Sequence, residues 1–278
     1  MLRQWRRWAC NVCSAMENPP RYPNRLGRNA GSYQGETVDI NRLLRDVEEV
    51  GLRNNWQLIP LELPGAHLPA FQRVASNPRK HLYISSGMHG DEPAGPLAVL
   101  SLLEENDWPA EISLFVIPCF NPGGFVRNTR ENEDGIDLNR DYRSRQTALT
   151  RAHIAWLEQR PRFNLSLCLH EDWEAHGFYL YELNPDLEPS FADSIIRKVK
   201  TVCPIDPSAT IDGREANNGI ICANRLIERP EWPEAFHLIH NKTRLSYTLE
   251  APSDFPLLTR VNALAAAVRA VLEQLMAR

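Results

Sequence analysis

Apolar and polar positions along this chain change period repeatedly. Between residues 37 and 51, Ile40, Leu43, Leu44, Val47 and Val50 recur three or four apart, which predicts an amphipathic helix entered at Thr-Val-Asp. Residues 56–63 predict a strand, and the apolar run 81–86 predicts a second, buried one. Helical spacing resumes over 92–105, with Leu-Ala-Val-Leu on the core face. Residues 112–118 are apolar except Ser113, as expected of a central strand. A helix over 148–159, a buried strand over 165–170 and a short strand over 178–182 follow, then a helix over 189–202. The chain closes with a strand over 246–250 and a long helix over 259–276.

This alternation, without repeat, linker or low-complexity block, predicts one α/β domain of three layers. Its sheet is mixed but largely parallel, with helices on both faces. Such sheets bind ligands at the C-terminal ends of their strands. His89, His170 and Glu250 each fall at or just past a predicted strand end, so the topology groups them.

Composition narrows the partners. The chain has 278 residues, 43% of them apolar, and a net charge of −4. That is enough apolar sequence for a large core, and it gives no basic footprint for nucleic acid. No apolar stretch approaches the length of a membrane span. The six cysteines are scattered, with a lone Cys10-x-x-Cys13 pair, and read as reduced thiols of a cytoplasmic protein. Residues 1–30 read as a loose tail ahead of a catalytic domain at 31–278. The first 15 residues read either as upstream translation before Met16 or as part of that tail.

The candidate chemistry begins at Ser-Gly-Met-His89-Gly-Asp-Glu92-Pro. An imidazole and a carboxylate three residues apart, on the first turn after a strand, face the same way and suit a divalent metal of the zinc type. Gly87 and Gly90 permit a tight turn, and Pro93 suits a helix start. Alone, His-x-x-Glu recurs by chance and more often marks a surface histidine beside a helix-start acid. His170, ending Leu-Ser-Leu-Cys-Leu-His, would bring the protein ligands to three and leave one position open, as in a catalytic zinc site.

Between these segments run Asn121-Pro-Gly-Gly124, Thr129-Arg-Glu-Asn132 and Gly135-Ile-Asp-Leu-Asn-Arg140. In this order, between His-Gly-Asp-Glu upstream and a strand-end histidine downstream, the set resembles the zinc carboxypeptidase family, nearest its short bacterial branch with the murein peptide amidases. The resemblance runs from about residue 81 to the C-terminal helix. It implies one zinc per chain on His89, Glu92 and His170, with Asp137 orienting a zinc-bound imidazole. It implies Arg130 as the group that polarises the scissile carbonyl, and Asn139 with Arg140 as the grip on the substrate's terminal carboxylate. Glu250, in Tyr-Thr-Leu-Glu-Ala-Pro, takes the place of the general base and acid.

The chemistry of these residue types agrees with that assignment. Amide hydrolysis needs an activated water, a carboxylate to shuttle its proton and a fixed cation for the oxyanion. The expected activity is therefore a metallocarboxypeptidase acting on a peptide or peptide-like substrate with a free carboxylate. A cell-wall peptide amidase or an N-acyl amino acid deacylase on the same scaffold is the alternative. An inactive metal-binding domain that holds a peptide is more remote, because mere binding needs neither Glu250 nor Arg130. Oligomeric state is not legible.

Some positions depart from the pattern. The substrate-pocket tyrosine of the larger carboxypeptidases, some twenty residues before the base, has no counterpart in Leu226-Ile-Glu-Arg229. Asp141 follows Arg140, and would either compete for that guanidinium or order it. Glu171-Asp-Trp-Glu174 either favours a basic group on the substrate or is a solvated loop. Residues 211–219 read as a loop lining the specificity pocket.

Overall fold

A computed structural model describes residues 22–28, 35–223 and 229–277. Most of the expected tail, including Met16, Cys10 and Cys13, lies outside these residues, as does the stretch Leu226 to Glu228. Within that tail, residues 22–28 are tied to the domain. Leu26 and Arg28 donate backbone N–H bonds to Asp254, and Arg25 pairs with its carboxylate.

The strands in chain order are β1 (Gln57–Leu58), β2 (Leu61–Leu63), β3 (Ala66–Leu68), β4 (Phe71–Arg73), β5 (Lys80–Ser86), β6 (Ile112–Ile117), β7 (Leu165–Asp172) and β8 (Tyr179–Leu183). There follow β9 (Thr210–Ile211), β10 (Arg214–Glu215), β11 (Ile220–Ala223) and β12 (Ser246–Pro252). The helices are α1 (Ile40–Arg53), α2 (Ala94–Glu105), α3 (Pro122–Arg127), α4 (Ala148–Glu158), α5 (Ala192–Val199), α6 (Glu234–Asn241) and α7 (Leu257–Ala277).

One sheet in the order β1-β4-β6-β5-β7-β12-β8-β11 forms the middle layer. Its four central strands, β6, β5, β7 and β12, are parallel. β8 runs antiparallel to β12, and β4 antiparallel to β6. The period of two sends alternate side chains to opposite faces. Leu82, Ile84, Leu165, Leu167 and Leu169 enter one core with α1, α2, α5 and α7. Tyr83, Phe115, Ile117 and Cys168 enter the other with α4 and α6. The expected three-layer α/β domain is the fold observed.

Differences in the elements have local causes. The strand expected over 56–63 is broken at Pro60, which has no N–H to donate to a ladder. The helix expected over 189–202 shortens to α5, where the Ser190 hydroxyl accepts from the Ala192 amide at its start. The hairpin β9–β10, the edge strand β11 and the short helix α6 carry too few residues for a periodic signal. No described helix is long and apolar enough to cross a membrane.

Candidate active site

The turn after β5 places the first donors. Gly87 has φ of +64°, where a side chain would be strained. Gly90 serves a different need: a Cβ there would lie 2.0 Å from the Gly124 carbonyl carbon. The His89 loop can therefore rest directly on the start of α3, where the Asn121 side chain accepts from the Gly124 amide at 3.0 Å. Pro93 sits at the N-cap position of α2, one residue earlier than expected. Glu92 thus belongs to the turn.

His89, Glu92 and His170 are all buried, and one donor atom from each lies within 4.8 Å of the others. Glu92 sits between the histidines. Its Oε1 is 2.5 Å from His89 Nδ1 and its Oε2 is 2.9 Å from His170 Nδ1. Two imidazoles presenting Nδ1 on either side of a carboxylate form a donor set that a zinc-type cation accepts. His89 Nε2 faces Asp137 Oδ1 at 3.3 Å, which leaves Nδ1 for a metal. Burial works to raise the Glu92 and Asp137 carboxyls. The adjacent histidines prevail at Glu92, and His89 with Arg130 at Asp137, so both are held well below the usual carboxylate range.

Asp137 is the hub of the 129–140 loop. Its Oδ2 accepts from Arg130 Nε at 3.0 Å and its Oδ1 from the Asn139 amide at 2.8 Å. Asn132 holds the same loop by accepting from the amides of Asp134 and Ile136. Arg130 Nη1 lies 3.3 Å from His89 Nδ1 and 3.7 Å from Glu92 Oε1, against the donor set.

Glu250 on β12 stands in register beside His170 on β7 and opposite Tyr179 on β8. It is only partly accessible, through the cavity, and burial pushes its carboxyl well above the ordinary range, against the pull of His170. His89, Glu92, Arg130, Arg140, His170 and Glu250 open onto one cavity of about 590 Å³. Asn139 also lines it, with its side-chain oxygen accepting from the Glu234 amide at 2.9 Å at the start of α6. Asp137 lies behind His89, outside the lining.

Asp141 does not face Arg140. It is buried, and it accepts from Ser144, the Gln146 amide and both the amide and hydroxyl of Thr147. The acidity after His170 is only partly committed, because Asp172 and Glu174 line the cavity. Glu171 is paired with Arg260, and Asp172 accepts from Tyr179. Within 211–219, Ile211, Asp212 and Arg214 do line the cavity.

Sequence reasoning missed several cavity residues. Tyr179 and Tyr181 share one face of β8, and their spacing of two in a predicted strand was an available signal. Arg229 carried no such signal, and Arg214 was legible only as part of the 211–219 loop. They enter from the segments flanking β11 and gather with Arg140 at one end of the cavity. The Arg229 guanidinium lies 4.2 Å over the Phe236 ring, and its buried Nε has no hydrogen-bond partner among the described residues. Burial, then Arg140 and Arg214, lower the Arg229 pKa against the pull of Asp212, which lies 3.9 Å from Arg214.

The site resembles known proteins in the same region. Residues 78–180 match the family model described as the succinylglutamate desuccinylase/aspartoacylase catalytic domain. A candidate metallopeptidase from Shewanella amazonensis is 26% identical, with a TM-score of 0.73 over 85% of this chain and 93% of that one. A metallo-carboxypeptidase from Burkholderia cenocepacia, at 16% identity, shares the fold with a TM-score of 0.67 over 87% of this chain and 70% of that one. Carboxypeptidase 2 of Trichophyton tonsurans is 29% identical over 92 residues. That match takes in 29% of this chain and 17% of the relative, so the chain spans less than a fifth of the length of the curated relatives it matches. In this region and in its fold the chain is therefore similar to proteins of the zinc carboxypeptidase-like group.

Proposed function

We propose that the protein is a zinc-dependent amide hydrolase that releases a C-terminal residue from a peptide or peptide-like substrate carrying a free carboxylate. One observation carries this reading. A compact His89–Glu92–His170 donor set, Glu250 and a cluster of arginines open onto a single cavity. When bound, a zinc ion polarises a carbonyl and lowers the pKa of a water it holds toward about 7.

The chain's own groups would do the rest. Glu250 takes a proton from the attacking water and delivers it to the leaving nitrogen, a role that its partial enclosure and raised pKa suit. Arg130, fixed by Asp137, stabilises the negative charge that develops on the carbonyl oxygen. Arg140 and the Asn139 side-chain NH2 bind the substrate carboxylate, and Arg214 and Arg229 add positive potential at that end.

A second reading, N-acyl amino acid deacylase, is favoured by the family match over residues 78–180. Both reactions cut an amide next to a free carboxylate. A panel of N-blocked free-acid dipeptides, their C-terminal amides and N-acyl amino acids separates the two. Selective cleavage of the free-acid peptides supports the carboxypeptidase. Cleavage of acyl amino acids alone selects the deacylase. Equal cleavage of amidated and free-acid peptides refutes both.

A further inference from the structure

Glu171 follows His170 directly and ties together three separate parts of the chain. Its Oε1 accepts from the amide of Ala94, the first residue of α2, at 2.5 Å. Its Oε2 accepts from Arg260 Nη1 on α7 at 2.5 Å and from Ser253 Oγ, just past β12, at 3.4 Å. The Glu171 backbone N–H donates to Glu92 Oε2 at 3.2 Å. Arg260 is fully buried and continues to Glu36.

We propose that Glu171, with Arg260, is a positioning residue for the metal site. The pair fixes the His89–Glu92 turn, the end of β7 and the end of β12 against one another, so the donors and Glu250 are held in place before a metal arrives. This rests on the reading that His89, Glu92 and His170 hold a metal.

The physical case is one of cost. Burying two charges forfeits hydration that their attraction only partly returns, and an apolar pair of similar volume often holds a fold as well or better. A fully buried pair is therefore weak evidence for stability and invites another role. Here the role is legible in the contacts. The carboxylate binds the residue two past Glu92, and the same residue's backbone binds the Glu92 side chain. The Glu171 carboxylate acts on the donors through the Ala94 amide and the strand ends, and groups that orient metal ligands typically cost about 10–100-fold in metal affinity when removed.

The test is zinc affinity of the full chain, measured by competition with a chelator. In Glu171→Gln/Arg260→Met both charges go, so net charge is unchanged and the effect is not simple attraction of the cation. The double variant is expected to fold and to bind zinc about 10–100-fold more weakly. Zinc binding within about twofold of the parent overturns the proposal.

Should the double variant fail to fold, Arg260→Lys serves. A lysine keeps the charge but lacks the fork that bridges Glu171 and Glu36, so a several-fold weaker zinc affinity is expected and a parental value overturns the proposal. His89→Ala and His170→Ala run alongside. If these two bind zinc like the parent, the metal reading itself has failed. If they lose zinc while the Glu171 and Arg260 variants keep it, only the positioning role has failed.

Discussion

At the scale of single residues, Glu250 carries the heaviest assignment. Glu250→Gln keeps the side chain's shape and removes its proton acceptor. Turnover should fall by about 10²–10⁴ while zinc content and substrate binding persist. Steady-state rates beside a metal assay check this, and near-parental kcat would move the base elsewhere. His237 offers a test of burial. Burial, followed by Arg145, His240 and Lys242, lowers its pKa to about 4 from an ordinary value near 6.5. The unfolded chain thus binds a proton at higher pH than the folded one. The neutral imidazole costs nothing above about pH 7, and stability falls as pH drops from about 6.5 toward 4. Thermal melts of His237→Gln across that window should show a shallower loss than the parent. An identical slope would contradict the shift. Asp141 holds four bonds within the 141–147 loop, so Asp141→Ala should lower stability by about 1–3 kcal/mol, read as a drop in melting temperature.

At the scale of elements, legibility in the sequence followed length and periodicity. β5, β6, β7 and β12 are apolar runs or alternations, and α1, α2, α4 and α7 repeat over several turns, so each was readable in place. The short pieces were not. α6 and β11 are fixed by what they pack on, and β9–β10 by its turn. The same division runs through the site. His89, Glu92, His170 and Glu250 lie at the ends of legible strands, and the resemblance supplied the roles of Arg130, Asn139 and Arg140. The 211–219 loop that carries Arg214 was readable as pocket lining, but Arg229 and the Glu171–Arg260 pair depend on segments far apart in sequence meeting in space, which no local pattern encodes. The central strands also make a stability claim. Leu167 is fully buried in β7, so Leu167→Ala should cost about 2–5 kcal/mol in denaturant unfolding.

At the scale of the whole molecule, the fold is expected to stand without a bound metal. Two cores on opposite faces of the sheet bury its central strands, and the donor set occupies only one end of that sheet. Removing zinc should leave the circular dichroism spectrum essentially unchanged, because a large core holds the chain without it. Activity should behave in the opposite way. The most direct measurement is therefore hydrolysis of a free-acid N-blocked dipeptide by the full chain, before chelation, after it, and during titration with zinc. The expected result is loss of activity in the folded, metal-free protein and full recovery at about one zinc per chain. Undiminished hydrolysis by protein shown by elemental analysis to hold no metal would contradict it.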